Sequence, residues 1–113
     1  MTETPACCLS CGRVLRSAES IRLGRGPKCR AKIRAARRAA DLAAYKASQI
    51  EAAAELIEDG AIVPVRARRV FRTVSTDGSE LYLTARQACT CPAGLRGRDC
   101  YHRAAVLILT TAA

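Results

Sequence analysis

Cys89-Thr90-Cys91-Pro92-Ala93-Gly94-Leu95-Arg96-Gly97-Arg98-Asp99-Cys100-Tyr101-His102 is the stretch that decides how the rest of the chain is read. It spells C-x-C, eight residues, then C-x-H. Three thiolates and one imidazole form the donor set that Zn2+ takes in closed tetrahedral sites. With a single residue between the members of each pair, both ligands can point the same way from an extended or knuckled backbone. His102 is the sole histidine, and it falls at the ligand position. The expected metal ligands are therefore Cys89, Cys91, Cys100 and His102.

Working outward, Val70-Phe71-Arg72-Thr73-Val74 and Leu81-Tyr82-Leu83-Thr84 are β-branched and aromatic runs with Asp77-Gly78 between them, which predicts a hairpin. After His102, the run 103–109 (R-A-A-V-L-I-L) predicts a short helix with one buried apolar face. At these residues the sequence resembles the SWIM zinc finger over roughly residues 62 to 110. The resemblance implies a ββα unit around zinc, used for binding DNA or proteins and without catalysis.

Nearer the start stand Cys7-Cys8-Leu9-Ser10-Cys11-Gly12-Arg13-Val14-Leu15 and Gly24-Arg25-Gly26-Pro27-Lys28-Cys29. They look like the short C-x-x-C-G-R-x-L … G-x-G-P-x-C zinc modules of actinobacterial and phage proteins. C-x-x-C-G reads as a zinc knuckle, and Gly26-Pro27 as a helix start that puts Cys29 in the first turn, where free N–H groups favour a thiolate. Cys8, Cys11 and Cys29 match the pattern. Counting leaves Cys7 for the fourth position; because vicinal cysteines rarely share one metal, a carboxylate such as Glu19, or water, is the alternative. A redox reading of C-x-x-C lacks the surrounding βαβ pattern.

Between Pro27 and Asp59 there is neither Gly nor Pro, and strong helix formers dominate. One helix over 27–59, roughly 50 Å long, is the expectation. Positions 33, 36, 40, 43, 47, 50, 54 and 57 form a seam of Ile and Ala at alternating spacings of three and four. Such a seam would let a second helix approach closely and build a homodimer. Packing of the helix on its own zinc modules accounts for the same residues.

These readings give a small α+β, zinc-stabilised protein in three parts: a zinc module at 1–32, the connecting helix at 27–59, and a SWIM-type finger at 62–113. Its 113 residues include one Phe, three Tyr and no Trp, and much of the apolar content is Ala. A core of that kind is weak, and small domains of this type usually need a staple. The beginning, Met1 to Ala6, lacks the apolar run of a signal peptide, and no run reaches membrane-spanning length. Seven cysteines, an odd number, suit thiolates in a reducing cytoplasm better than bridges, in a host cytoplasm if the chain is phage-encoded.

Charge is unevenly placed. Residues 1–38 carry ten basic and two acidic groups, residues 39–61 one and five, and residues 62–113 eight and three. Cations at the start of a 27–59 helix and carboxylates at its end oppose the helix macrodipole, so something must offset that cost. Arg30, Arg34, Arg37 and Arg38 form one basic patch. Arg66, Arg68, Arg69 and Arg72, with Arg96 and Arg98, form another. A solvated face, or neutralisation of zinc-bound thiolates, is the bland account. Nucleic-acid phosphate is the functional one. Scarce aromatics argue against base stacking. With the lone His assigned to metal, no Cys–His or Ser–His–Asp arrangement remains, and no enzyme is expected. The other expectation is a protein-interaction adaptor docking through the hairpin or the alanine-rich helix.

Overall fold

The computed structural model describes residues 6–9, 12–66 and 69–112, with the Arg66 side chain outside that description. Its elements are α1 (Ala18–Leu23), α2 (Pro27–Ala39), α3 (Ala47–Glu58), β1 (Ile62–Arg66), β2 (Val70–Val74), β3 (Leu81–Thr84), α4 (Pro92–Leu95) and α5 (Tyr101–Ala112). The strands form an antiparallel sheet in the order β1-β2-β3. Among the described residues no helix is long and apolar enough to cross a membrane.

α5 is the hub. Ala104, Ala105, Val106 and Ile108 are buried on it, and α2 and α3 pack against it. The core runs from Ala36 through Ala53, Leu56 and Ile57 to Ile62, Phe71 and these α5 residues. Buried alanines on three helices let the backbones come close, so the alanine-rich composition is used for tight helix packing rather than for bulk. The segments 27–59 and 62–113 share this one core.

The single helix over 27–59 is corrected by the structure. Helix α2 stops at Ala39, residues 40–46 form a connection, and α3 begins at Ala47. Ala40 takes an extended ψ of 144°. Asp41 Oδ1 then accepts from the Ala43 amide at 3.3 Å, a local turn that competes with the helix. Leu42 and Tyr45 pack on the core from this connection. Full burial of an apolar side chain is worth about 1.5–3 kcal/mol, so two half-buried ones still match helix propensities that differ by under about 1 kcal/mol per residue. Folding back wins. At the start of α3, the Gln49 side chain accepts from the Lys46 amide (2.9 Å) and donates to the Asp99 carbonyl (3.0 Å).

The break eases part of the charge problem. Arg37 and Arg38 now lie in the last turn of α2, where cations are favoured. Arg25, 3% exposed, donates to the Ile57 carbonyl at 2.8 Å, placing a cation at the C-terminal end of α3. The heptad seam is interrupted as well. Ala40 and Ala43 fall in the connection, and Ala36 and Ile57 are spent on the internal core.

The expected hairpin is present at the expected residues, as β2 and β3. Ser75–Glu80 connect them. Asp77 Oδ1 accepts from the Ser75 hydroxyl (2.7 Å), the Ser79 hydroxyl (2.7 Å) and the Ser79 amide (3.0 Å). Gly78, at φ +79°, supplies the left-handed residue of the turn. Hydrogen bonds from Ser79 and Ser75 pull the Asp77 carboxyl from 3.8 down to about 2. Its folded value lies below its unfolded one, so its contribution is present above pH 3.8 and is lost as pH falls toward about 2. Asp77→Ala is expected to lower the melting midpoint slightly near neutrality and to flatten the acid limb of stability over that window. Thermal melts across that pH range check it.

Strand β1 was not expected. Pro64 reads as a stop, yet on the edge of a sheet a missing N–H is tolerated. The β1–β2 pairing shifts register between Pro64 and Arg66, and Ile62 is fully buried beneath it.

A candidate metal centre at the sheet edge and the start of α5

The four C-terminal donors converge. The sulfurs of Cys89, Cys91 and Cys100 and a ring nitrogen of His102 all lie within 4.8 Å of one another, and all four residues are buried. Local chain chemistry brings them there. After β3, Ala85 donates to the Ala88 carbonyl (2.8 Å) and turns the chain back. Thr90 then donates to the Leu83 carbonyl, while Leu83 donates to the Thr90 hydroxyl, each at 3.0 Å, so Cys89 and Cys91 flank a residue pinned to the sheet edge. Pro92 opens α4, and its cap, Cys91, accepts from the Gly94 amide at 3.3 Å. Cys100 and His102 come from the start of α5, the helix that carries the core.

The histidine is oriented from behind. Nε2 donates to the Val74 carbonyl at 3.2 Å, and Nδ1 faces the Cys89 sulfur at 3.9 Å. With the proton fixed on Nε2, Nδ1 presents its lone pair to the cluster, which is how metal-binding imidazoles are commonly held. Tyr101 and Tyr82 flank the ring, with centroids 4.1 and 5.5 Å from it.

The sulfurs are also prepared. A hydrogen bond from Cys100, helped by others from Thr84 and the Cys91 amide, holds the Cys89 thiol well below the usual range despite burial. Cys100, which donates that bond and is itself buried, is pushed up. Thr84 lies 3.2 Å from the Cys89 sulfur and 3.0 Å from Thr73. With the sulfur accepting, the proton order runs from Thr73 to Thr84 to Cys89. Soft donors, an oriented imidazole and N–H bonds onto sulfur fit a transition-metal ion, and these four residues could hold one. Binding an ion displaces the remaining thiol protons, so affinity must fall as pH falls.

Gly94 is the residue that permits the knuckle. A Cβ there would overlap the Cys89 carbonyl oxygen and stand 2.8 Å from the Cys89 Cβ. Backbone cannot swing aside as a side chain can. Gly94→Ala is therefore expected to cost about 1–3 kcal/mol, at the scale of overpacking strain, and to weaken metal retention. Competition with a chromophoric chelator measures the second effect.

The N-terminal residues are placed only in part. Cys11 and Ser10 lie outside the described residues, so the knuckle expected there does too. Cys7 is exposed and bridges Val14; Cys8, its neighbour, is buried, as alternation along an extended chain requires. The Cys8 amide donates to the Arg13 carbonyl (2.8 Å), and Gly12, at φ +78°, donates back to the Cys8 carbonyl (2.9 Å). Pro27 opens α2 as expected, which puts Cys29 in its first turn. Cys8 and Cys29 line one cleft with Ser17, Ser20 and Lys28. Burial lowers the Arg25 pKa, and the charges of Cys8 and Cys29 oppose that shift. Glu19 instead pairs with Arg30 at 3.4 Å.

Comparison with known proteins reaches this end of the chain alone. Residues 2–34 match a family of unknown function (DUF6011). That span contains Cys7, Cys8, Cys11 and Cys29 and none of the four C-terminal donors. No curated protein and no solved structure matches the chain.

The basic residues are dispersed. Arg34, Arg37 and Arg38 are exposed on α2, Arg72 is exposed on β2 between Val63 and Leu83, Arg69 precedes β2, and Arg96 and Arg98 flank Gly97 after α4. Arg68 lies outside the described residues. Sequence reasoning did not single out Arg25, Val74, Thr84 or Gly94 as parts of the site. A glycine two residues past C-P carried a faint signal; the other three depend on tertiary placement.

Proposed function

We propose that the chain is a non-enzymatic zinc protein that binds nucleic acid through phosphate contacts. Zinc is the ion favoured at Cys89, Cys91, Cys100 and His102 because three thiolates with one imidazole make a closed tetrahedral set. The donors need to draw in by under about 1 Å to reach the roughly 3.8 Å sulfur–sulfur edges of such a site. Bound there, zinc would act as a structural crosslink between the sheet edge and α5. A second zinc at Cys8, Cys11 and Cys29 is supported by the shared cleft of Cys8 and Cys29 and by the buried Arg25 beside them.

The observation that carries the nucleic-acid reading is unneutralised charge. The formal net charge is +9, and among the described residues the ion pairs are Arg30–Glu19 and Arg103–Asp99. Arg34, Arg37, Arg38, Arg69, Arg72, Arg96 and Arg98 have no carboxylate partner among the described residues. Guanidinium groups left in that state suit phosphate oxygens. Fluorescence anisotropy with a labelled oligonucleotide should show binding at low salt that weakens steeply as salt rises, through counterion release. Arg37→Glu with Arg38→Glu should weaken it without changing zinc content. No binding to DNA or RNA at low salt overturns the reading.

A further inference from the structure

A cavity of about 260 Å3 lies where α2, α3 and α5 meet. Its floor is apolar: Ile33 from α2, Ala54 and Ile57 from α3, and Ile108 from α5. Its wall is cationic. Arg30, Arg34 and Arg37 follow at four- and three-residue steps along α2, so they rise from one face of that helix. The Nε of Arg30 is buried and has no hydrogen-bond partner among the described residues. The same guanidinium pairs with Glu19 through Nη1 at 3.4 Å, which leaves Arg34 and Arg37 as the cations of the wall without a carboxylate partner among the described residues.

The cavity does not end there. Arg34 and Arg37 also line a neighbouring hollow over Leu42 and Ile50, with Arg38 on its edge. Arg34 and Arg37 line both hollows, so the cationic wall continues from one to the other along α2, and we treat the pair as one groove. We infer that this groove docks an acidic protein segment carrying apolar side chains, with its aliphatic groups on the isoleucine floor and its carboxylates on Arg34 and Arg37.

Three features choose that occupant. The two hollows follow one another along α2 instead of closing into one enclosed pocket, which favours an elongated guest. A nucleic-acid backbone is polar throughout and would leave the floor uncovered, and neither hollow has an aromatic ring on which a base could stack. Glu58 at the α3 side of the first cavity repels carboxylates there, which directs the acids of the guest toward the arginine wall. The inference goes beyond the nucleic-acid reading and stands without it.

The test uses the full chain and three labelled probes: a short peptide of glutamates with two leucines, the same peptide with serines for leucines, and an oligonucleotide. The leucine peptide should bind about ten-fold or more tightly than the serine peptide. Arg34→Glu should weaken it by about ten-fold. Ala54→Phe, which fills the floor from a partly exposed position, should weaken the leucine peptide and leave the oligonucleotide unchanged. Equal affinity for the two peptides overturns the inference, as does indifference to both substitutions. If the oligonucleotide displaces a leucine peptide that has no advantage over the serine one, the wall is a phosphate surface and the groove has no peptide role. Loss of oligonucleotide binding alone would sink the nucleic-acid reading and leave this one standing.

Discussion

His102→Ala is expected to empty the C-terminal site and to lower stability by more than any other single change outside the cysteines. The imidazole joins three structures at once. Its Nδ1 faces the thiol cluster, its Nε2 holds the Val74 carbonyl at the end of β2, and its backbone begins α5. Structural zinc contributes roughly 10–16 kcal/mol of apparent folding energy in small modules, against about 5–15 kcal/mol for a whole ordinary domain. Losing one of four ligands removes a large share of that. The orphaned carbonyl adds a further cost of about 1–3 kcal/mol. Tyr101→Phe is the control: it removes one exposed hydrogen bond, 3.0 Å to Thr76, and should cost about 0.5–1.5 kcal/mol. Thermal melts followed by circular dichroism, with metal content measured on the same samples, compare the two. Near-native stability with full metal content in His102→Ala would remove the imidazole from the ligand set.

Phe71→Ala is the second large effect, and it should separate from the first. Phe71 is the sole phenylalanine, 4% exposed on the central strand, facing the core that α5 builds. Truncations of this kind cost about 3–5 kcal/mol. Ala104 and Ala105, in the same core, are already fully buried and have little length with which to fill the space. The metal donors are untouched, so metal content at low temperature should match the wild type while the denaturant midpoint falls. A change below about 1 kcal/mol would mean that the sheet does not lean on α5 as described. Loss of metal in this variant would show that the core and the cluster fold as one unit.

What could be read from the residues depended on how local the cause was. The hairpin strands, the helix start at Gly26-Pro27 and the convergence of Cys89, Cys91, Cys100 and His102 follow from short-range signals: alternation, turn residues and ligand spacing. The break between α2 and α3 did not show, because 40–46 carries no Gly or Pro; packing of Leu42 and Tyr45 against a core assembled from distant segments decided it. Strand β1 was hidden by Pro64, since edge position is a property of the sheet and not of the segment. Val74 and Thr84 looked like ordinary strand residues. Their parts, a carbonyl for Nε2 and a hydroxyl for a sulfur, exist only after α5 docks.

Native mass spectrometry of the full chain, before and after treatment with a strong chelator and paired with circular dichroism, tests the metal-centred account most directly. The account predicts at least one tightly held zinc, lost in His102→Ala, with removal by chelator collapsing the α5 core. A metal-free mass together with an unchanged, cooperative melt would contradict it.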